Sequence, residues 1–574
     1  MSDRQAKRTL ALFAVLSFVV LFAGSVAAQG RSPDSLQPDL FISLALHRDT
    51  PVAHGNVLVL PSRNRRATFA RLVKNGSSLA TAPSITTNAL NLSLSPYSVG
   101  PIITPTQSEP EAEEEIAADP SDITGSNLIS AVSDFSQASG FNFTKWALST
   151  DGGSSAPWRE DFVPNNSTTG MLVTSDGRSW NANSDPVLAF DRSGNVYLSD
   201  LYIAVDSFGR ITSEGLYVST DTFSNLKTGN FGHTYRVRAN LNNKRTFGLE
   251  DKPWIAVDNS DAVSAGYVYA SWAHFTGCQN KFSPILGYYL TCSSDVLYLS
   301  YSKNHGQTWS APIVINPSSQ NNAVQGAQVA VGPDGKVYVA YEFFGSGDQR
   351  RQYLAVGTWS NGVLSFSAPF AATPFFSDLN FSGCASCIAG YRVNSFPALA
   401  VGPATVGNPS GNVYIVYGGQ ADSNSTAQAN FVSCTSNCTG STAFSAPSVI
   451  NDDFAGNHFF PSIAVDRNGV VHTSWFDTRN SPSNPDYLDI YAAFITYDSG
   501  ANAFTPSPNG RVTPTSMDAS LFDRFGDGGF IGDYAGIAAT AATPATAHPV
   551  WTNASGILGL LTNGSLQTAT VTLP

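Results

Sequence analysis

Charged residues are scarce in this chain: Asp, Glu, Lys and Arg make up only 13% of its 574 residues. This low fraction disfavours long salt-bridged helices, and the many Gly, Ser, Thr and Asn residues favour short strands joined by polar turns. Lys and Arg number 31 against 43 acidic residues, which gives a formal net charge of −12. Without an excess of cations to neutralise phosphates, we expect no nucleic-acid partner.

Long apolar runs are also lacking, apart from one near the N-terminus. The run LALFAVLSFVVLFAG follows Arg4, Lys7 and Arg8 and ends in the small residues SVAAQG. This pattern predicts a secretory signal peptide over residues 1–28, cleaved after Ala28. An uncleaved membrane anchor is the alternative, because the run approaches the ~20 residues of a spanning helix. We therefore expect a secreted protein, extracellular or periplasmic, with no membrane span after cleavage.

Cysteines are few, and the six of them lie in three local pairs. In an exported chain such pairs predict disulfides that staple loops, here Cys278 with Cys292, Cys384 with Cys387, and Cys434 with Cys438. A zinc site built from the last four cysteines is the alternative, since four thiolates suit zinc. The oxidising compartment favours disulfides over the metal site.

A long repeat is the main feature that the chain does contain. A short apolar strand, a turn rich in Asp, Gly and Asn, and a strand of alternating Val and aromatic residues recur, as in VLAFDRSGNVYLSD and QVAVGPDGKVYVAYEF. The second residues of the seven units lie 64 to 74 positions apart: Ile116, Leu188, Ile255, Val329, Leu399, Ile463 and Ile537. This period predicts an all-β propeller of seven four-stranded antiparallel blades. We place the propeller at residues 111–574, behind a partly irregular leader region at residues 29–110.

Two charged segments precede the first repeat unit. The stretch PSRNRRATFARLVKNG is basic, and SEPEAEEE, which runs into the first unit, is acidic. Runs of like charge are usually solvated. We therefore interpret both segments as surface and assign them no chemistry.

A polar turn closed by an aromatic residue provides a second marker. The stretch SKNHGQTW, residues 302–309, is expected to join the third and fourth strands of a blade. The side chains of Ser302 and Asn304 suit hydrogen bonds to the turn backbone, and Gly306 permits a positive φ. The turn is therefore structural in this interpretation, and it is expected to point away from any active site.

This turn resembles the Asp-box, S-x-D-x-G-x-T-W, of the sialidase superfamily of BNR-repeat propellers, with Asn304 in place of Asp. The stretches PSIAVDRNGVVHTSWFDTRN and FIGDYAGIAA are similar to secreted bacterial members of that superfamily. The resemblance implies a glycoside hydrolase of the exo-sialidase type that acts on extracellular glycans. The alternative is a non-catalytic propeller that binds a glycan or a protein. Sialidases have six blades, so six is the alternative to seven.

The candidate site follows from propeller geometry and from the resemblance. Loops that enter the first strand of a blade and leave the second emerge on one face, and we expect the site there. Sialidases grip a sugar carboxylate with three arginines and use a tyrosine nucleophile, a glutamate partner and an aspartic acid. The candidate catalytic residues are Asp134, Asp200, Glu342 and Tyr534, with Tyr391 and Glu250 as alternatives for the nucleophile pair. The candidate substrate-binding residues are Arg245, Arg392, Arg479 and Arg524.

Two alternatives remain at these positions. Asp477 and Arg479 lie two residues apart, so they share one face of a strand and can brace a loop as a local pair. The Gly-rich stretch RFGDGGFIGDY offers Asp523, Asp527 and Asp533 as oxygen ligands for calcium, although their spacing matches no standard calcium loop. We otherwise expect no metal and no cofactor. The expected partner is an extracellular glycan or glycoprotein.

Overall fold

The computed structural model describes most of the chain from residue 98 onward. The described residues are 46–47, 56–59, 98–105, 111–134, 142–166, 171–206, 210–240, 247–283, 287–379, 393–405, 408–422, 425–436, 438–483, 487–498, 503–518, 531–553 and 565–572. The predicted signal peptide, the basic segment at residues 61–76, and the cysteines at positions 384 and 387 lie outside them.

The chain forms a seven-bladed β-propeller, as its repeat predicts, and the six-bladed alternative is wrong. Within blades 1 to 6 the four main strands pair antiparallel in sequence order. Every second residue of a repeat unit, such as Leu188 and Ile463, lies in the first strand of its blade.

The first three blades each contain four main strands. Blade 1 contains Glu111–Ala118, Leu128–Asp134, Thr144–Ser149 and Arg159–Phe162. Blade 2 contains Ala182–Phe190, Asn195–Val205, Ile211–Thr222 and His233–Asn240. Blade 3 contains Phe247–Val257, Val268–Ser283, Ser294–Ser302 and Ile313–Val314.

The next three blades follow the same order. Blade 4 contains Val324–Val331, Val337–Phe344, Gln349–Ser360 and Val363–Phe366. Blade 5 contains Ala398–Val401, Val413–Gly419, Gln428–Cys434 and Ser448–Val449. Blade 6 contains His458–Val465, Val471–Asp477, Tyr487–Asp498 and Ala503–Pro506.

Blade 7 closes the ring with strands from both ends of the repeat region. Its C-terminal strands are Ile537–Ala539, Thr546–Asn553, Ser565–Thr568 and Val571–Thr572. The strand Ser98–Val99 pairs with Val571–Thr572 and is the outermost strand of this blade. This strand precedes residue 111, where the sequence predicts that the propeller begins. The repeat does not predict it, because two residues are too few to show the repeat pattern.

Short elements decorate the blades. The segments Leu46–His47, Asn56–Val59 and Gly287–Cys292 extend the sheet of blade 3, and Leu172–Val173 pairs with Ser179–Trp180. Phe370–Ala371 and Phe376–Ser377 pair with blade 4, and Gly510–Arg511 and Met517–Asp518 with blade 6. The described helices are Phe223–Leu226 and the 3-10 turns Ser318–Gln320 and Ser441–Ala443.

The core lies between neighbouring blades. One apolar cluster joins Trp146 of blade 1 to Leu188 of blade 2, and another joins Tyr414 of blade 5 to Trp475 of blade 6. Five tryptophans are fully buried in these layers: Trp146, Trp180, Trp272, Trp475 and Trp551. The alternating Val and aromatic residues of the second strands thus face adjacent blades on both sides, which explains the repeated sequence pattern.

The turn at residues 302–309 has the structure that its sequence predicts. Gly306 N donates to Ser302 Oγ at 2.9 Å, Thr308 N donates to Asn304 Oδ1 at 3.0 Å, and Trp309 Nε1 donates to Gly306 O at 2.8 Å. The turn follows the third strand of blade 3. Within the turn, His305 lies close to Tyr197, near the start of the second strand of blade 2. The turn therefore lies on the face of the propeller where the first strand of each blade ends.

Two of the three predicted disulfides are confirmed. Cys278 is bonded to Cys292, and Cys434 is bonded to Cys438. The zinc alternative is therefore wrong, because two of its four thiolates are consumed in the second disulfide.

The interpretation of the acidic run as solvated surface is wrong for its second half. Glu111, Glu113, Glu114 and Glu115 are all buried, with 1%, 4%, 0% and 8% of their surface exposed. They lie in the first strand of blade 1, whose side chains face the neighbouring blades and the channel. Local charge density cannot reveal this, because the burial comes from blades that are distant in sequence.

Candidate functional site

The first strands of five blades share a β-bulge at the same repeat position. The register shifts between Ala112 and Glu115, and equivalent shifts occur in blades 2, 3, 4 and 6. The residue inside each bulge has a positive φ: Glu113, Asp185, Lys252, Gly326 and Phe460. Four of these are not glycine, and such strained residues cluster at functional sites.

We call the seven residues at this repeat position the channel ring. They lie three positions before the second residue of each unit: Glu113, Asp185, Lys252, Gly326, Phe396, Phe460 and Tyr534. Blades 1 to 3 contribute charged side chains, and blades 5 to 7 contribute aromatic ones. The ring therefore has a charged half and an aromatic half.

An ion pair crosses the channel at this level. Lys252 Nζ of blade 3 bonds Asp533 Oδ2, just before blade 7, and both side chains are buried. Asn394, just before blade 5, donates to Asp533 O at 2.8 Å. Because blades 3, 5 and 7 are not neighbours in the ring, these contacts place Asp533 across the central channel.

Tyr534 lies beside the same contacts. Its hydroxyl donates to Pro186 O of blade 2 at 3.2 Å, and its ring meets Trp254 edge-on at 5.7 Å. Desolvation, and then the carboxylates of Glu113 and Asp185, raise the pKa of Tyr534 well above its ordinary value. The side chain is therefore held as a neutral phenol.

Glu113 and Asp185 form a carboxyl pair. Burial raises the pKa of Glu113 well above its ordinary value, and the adjacent Asp185, to which it is hydrogen-bonded, raises it further. Lys252 acts in the opposite direction on the same group. Burial and the neighbouring Asp185 thus both favour the protonated form of Glu113. Ser133 Oγ donates to Glu113 Oε2 at 3.3 Å, and Ser184 Oγ to Asp185 Oδ1 at 2.5 Å.

A small cavity of about 50 Å³ lies in the channel against the ring. Its lining includes the acidic residues Glu115 and Asp533 and the aromatic residues Phe396, Phe460 and Trp254. This volume holds a few water molecules and is too small for a sugar ring.

Glu115 lines this cavity with a carboxyl group that has one unpartnered oxygen. The side chain is 8% exposed, and its Oε2 has no hydrogen-bond partner. Burial raises the pKa of Glu115 from 4.5 to about 8. At neutral pH it is therefore a carboxylic acid and can donate a hydrogen bond to water or ligand.

These raised pKa values predict that the fold loses stability in alkali. A carboxyl group whose pKa is raised by folding stabilises the fold fully below its unfolded pKa, and this stabilisation is lost as pH rises through the folded value. For Glu115 the window runs from about 4.5 to about 8. Burial raises the pKa of Glu114 and Glu214 in the same direction, so their contributions to stability are lost on the same alkaline side.

The pKa shift of His548 gives the opposite dependence of stability on pH. Burial lowers its pKa from 6.5 to about 4, so its contribution is present above 6.5 and lost as pH falls through 4. We expect the thermal midpoint, measured by calorimetry, to fall as pH rises from about 6.5 to 8, where the carboxyl groups lose their contribution, and to fall again as pH drops from about 4.5 to 4, where His548 loses its own. Glu115→Gln should flatten the alkaline limb. A midpoint that rises from pH 6 to 9 would contradict the burial of these carboxyl groups.

The structure places two of the four candidate catalytic residues near the ring. Tyr534 is a ring residue, and Asp200 is fully buried directly behind Asp185. Asp200 accepts from Asn183 Nδ2 at 2.8 Å and from Ser184 N at 3.1 Å. Burial raises the pKa of Asp200 well above its ordinary value. Asp200 therefore anchors the bulge that presents Asp185.

The other two candidate catalytic residues are engaged in ion pairs. Asp134 lies 3.5 Å from Lys145 Nζ, and Glu342 lies 3.2 Å from Arg350 Nε. The carboxyl groups that act on Tyr534 are those of Glu113, Asp185, Glu115 and Asp533. Glu250, the alternative partner for the nucleophile, accepts instead from Trp272 Nε1 and from Arg238 and bonds His274 Nδ1 at 2.8 Å.

Arg479 braces a loop in the described structure. Its Nε donates to Asp477 Oδ2 at 2.9 Å, and its terminal nitrogens donate to Asp452 Oδ1 at 2.5 Å and Asn509 Oδ1 at 2.9 Å. The guanidinium also lies 4.0 Å above the ring of Tyr491. This is the local pair that the strand spacing allows. The other candidate arginines, at positions 245, 392 and 524, lie outside the described residues, so the carboxylate grip stays a prediction.

Sequence reasoning missed Glu113, Glu115, Asp185 and Lys252. Three of them, Glu113, Asp185 and Lys252, could have been found by aligning the seven repeat units. The position three residues before the second residue of each unit reads Glu, Asp, Lys, Gly, Phe, Phe and Tyr. Charged residues at a repeat position that is otherwise glycine or aromatic indicate a candidate functional site in the central channel. Glu115 is not at this repeat position, since the bulge shifts it to the next inward position.

Two properties of the described residues concern metal binding and membrane spanning. Among them no cluster of three or more His, Cys, Asp or Glu side chains is arranged to hold a metal ion. Two members of the weak calcium alternative, Asp523 and Asp527, lie outside these residues. Within the same part of the chain no helix is long and apolar enough to cross a membrane.

In sequence, the chain matches no family model and no curated protein. Among solved structures it is similar to an alpha-L-arabinanase of Penicillium chrysogenum, at 10% identity over 73% of this chain and 99% of the other, with a TM-score of 0.39. It is also similar to the NanB sialidase of Streptococcus pneumoniae, at 9% identity over 78% and 83%, with a TM-score of 0.39. A Hadza microbial sialidase aligns at 12% identity over 79% and 75%, with a TM-score of 0.37. Similarity this low carries no information about activity, so only this chain's own residues bear on its function.

Proposed function

We propose that this protein is a glycoside hydrolase that acts on a neutral extracellular glycan at the mouth of its channel. The observation that carries the proposal is the buried carboxyl pair of Glu113 and Asp185 in adjacent bulges of the ring, opposite its aromatic half. Burial raises the pKa of Glu113, which favours its protonated form. A carboxylic acid that keeps its proton at neutral pH is what a glycosidase needs to protonate a leaving oxygen.

The second carboxylate is Asp533. Its ion pair with Lys252 keeps it ionised. In this proposal Asp533 accepts a proton from a water molecule in the cavity while Glu113 donates one to the glycosidic oxygen. Tyr534, a neutral phenol bonded to Pro186 O, orients the substrate and does not attack it.

Charge decides between neutral and anionic sugars. Around the described ring, the acidic residues Asp185 and Asp533 outnumber the single cation Lys252, which is already paired with Asp533. An anionic sugar would be repelled there. The aromatic half, with Phe396, Phe460 and Trp254 against the cavity, suits the apolar face of a neutral sugar ring. The exo-sialidase form thus becomes one outcome of the test.

We also propose that the protein acts outside the cell. The N-terminal pattern of residues 1–28 and the two disulfides support this location.

The test is hydrolysis of aryl glycosides by the purified mature chain. The panel contains neutral α- and β-linked pentosides and hexosides and one α-sialoside. We expect release from a neutral glycoside and none from the sialoside. Release from the sialoside alone would overturn the neutral class.

A non-catalytic glycan-binding propeller is the alternative, and the small cavity favours it. It predicts binding of a neutral oligosaccharide without hydrolysis of any member of the panel.

A further inference from the structure

We propose that Asn394 is a positioning residue that fixes the carboxylate of Asp533 at the channel cavity. This inference rests on the proposed function, in which Asp533 takes a proton from water. Asn394 and Asp533 both line the cavity. Asn394 lies just before blade 5 and Asp533 just before blade 7, so their contact joins segments that are 139 positions apart in the chain.

Asp533 is held from two different blades. Lys252 Nζ of blade 3 bonds its Oδ2. Asn394 Nδ2 donates to the backbone oxygen of Asp533 at 2.8 Å and to its Oδ1 at 3.3 Å. Rotation of the carboxylate about its Cβ–Cγ bond would therefore break bonds to both neighbours.

The amide of Asn394 has one orientation that fits its contacts. Its Oδ1 accepts from Phe396 N at 3.1 Å. A backbone N–H only donates, so the amide oxygen faces Phe396 and the amide nitrogen faces Asp533. An aspartate at position 394 would accept from Phe396 N equally well. The local turn therefore accounts for the oxygen of this side chain, and Asp533 accounts for its nitrogen.

Packing restrains the segment that carries Asn394. Gly326, the ring residue of blade 4, has a φ of 64° and lies against the ring of Phe396. A Cβ at position 326 would lie 2.6 Å from that ring, so Phe396 occupies the space where a side chain would stand. Phe396 is thus seated against blade 4, two residues after Asn394.

The backbone before Asp533 is restrained beside Glu113. Gly532 has a φ of 91°, and a Cβ there would lie 2.6 Å from Glu113 N. This segment therefore touches the strand that carries the proposed proton donor. Gly532 sets the backbone and Asn394 sets the carboxylate, so the proposed base has a defined place relative to the acid. Placement of this kind affects kcat more than substrate binding.

The test compares Asn394→Ser with the wild type on a glycoside that the wild type cleaves. A serine hydroxyl can still accept from Phe396 N, but it is too short to reach Asp533. We expect kcat to fall about 10- to 100-fold with little change in KM. The acid limb of the pH–rate profile should move to higher pH, because a hydrogen bond donated to a carboxylate favours its charged form.

Asn304→Ser is the matched control. The Oδ1 of Asn304 also accepts from a backbone N–H, that of Thr308 at 3.0 Å, but its turn lies on the opposite face of the propeller. We expect this variant to keep the rate and the pH–rate profile of the wild type.

The ¹³Cγ signal of Asp533, assigned with Asp533→Asn, measures the same effect without activity. We expect it to titrate about one pH unit higher in Asn394→Ser than in the wild type. Asn394→Asp is a second variant that keeps the size of the side chain, should the serine variant not fold. Its carboxylate repels that of Asp533, so the last proton of the pair should leave at a higher pH than the Asp533 proton of the wild type.

Equal titration of Asp533 in the wild type and the Asn394 variants would overturn the positioning role. A slower Asn394→Ser with an unshifted acid limb and an unshifted Asp533 signal would show that Asn394 is only structural. Failure of the hydrolase gives a different pattern. If the wild type cleaves no glycoside but the Asp533 signal shifts as expected, the positioning role stands and the hydrolase falls. If glycosides are cleaved and Asn394→Ser keeps both the rate and the titration, the hydrolase stands and the positioning role falls.

Discussion

Replacing Lys252 with methionine is expected to lower the free energy of unfolding by about 3–5 kcal/mol. Lys252 is 8% exposed, and its ammonium pairs with Asp533 across the channel. Removing the cation leaves a buried carboxylate without its counter-charge, which is the costly way to break a buried ion pair. It also removes the group that opposes the raised pKa of Glu113. Chemical denaturation of the mature chain measures the loss.

A double variant and a surface pair control this experiment. Adding Asp533→Asn to Lys252→Met should recover much of the loss, because the orphaned charge is gone. Lys336→Met breaks the more exposed pair with Asp334 and should cost no more than about 1 kcal/mol. Equal losses for Lys252→Met and Lys336→Met would show that the axial pair carries no special weight.

Replacing Glu113 with glutamine is expected to lower kcat about 10²- to 10⁴-fold on the glycoside that the wild type cleaves. The amide is close in size and keeps the side chain polar, but it cannot give up a proton to the leaving oxygen. Substrate binding should be retained, so KM should change little. Initial rates at saturating substrate measure the effect.

Asp261→Asn is the matched control for Glu113→Gln. Its carboxylate is 92% exposed and pairs with Arg192 at the surface, on the face opposite the ring. We expect unchanged rates for this variant. If Glu113→Gln also kept full activity while remaining folded, the proton donor would have to be another group.

The fold was predictable because the sequence repeats once for each blade. Each blade has the same strand–turn–strand sequence pattern. Leu188 and Ile463 can therefore be assigned to equivalent strands without knowing which distant residues they contact. The polar turn at Ser302 and the disulfide of Cys434 with Cys438 were predictable for a similar reason, since all their partners are local. By contrast, the strand Ser98–Val99 has only two residues and pairs with the far end of the chain.

The site was only partly predictable, because ring closure assembles it. Tyr534 and Asp200 were found from the loops that open on one face. The pairing of Lys252 with Asp533 joins residues 281 positions apart, and no local pattern connects them. The run of like charge that contains Glu113 and Glu115 predicts solvated surface, because such runs are usually exposed. Their burial depends on the blades that pack around them.

Arg479 shows the opposite kind of difference. Its position in a loop at the mouth suggested a substrate grip, and the resemblance to sialidases supplied the role. The structure shows its guanidinium bonded to Asp477, Asp452 and Asn509. The guanidinium of Arg479 is therefore already paired with Asp477, two residues away in the chain, and it braces the loop that contains Phe454.

The crystal structure of Glu113→Gln soaked with a neutral oligosaccharide that the wild type cleaves tests the central claim most directly. The account predicts a sugar ring at the channel mouth, stacked on the aromatic half of the ring, with its glycosidic oxygen within hydrogen-bond distance of the residue 113 side chain. A sugar bound elsewhere on the propeller, with the mouth empty, would contradict it.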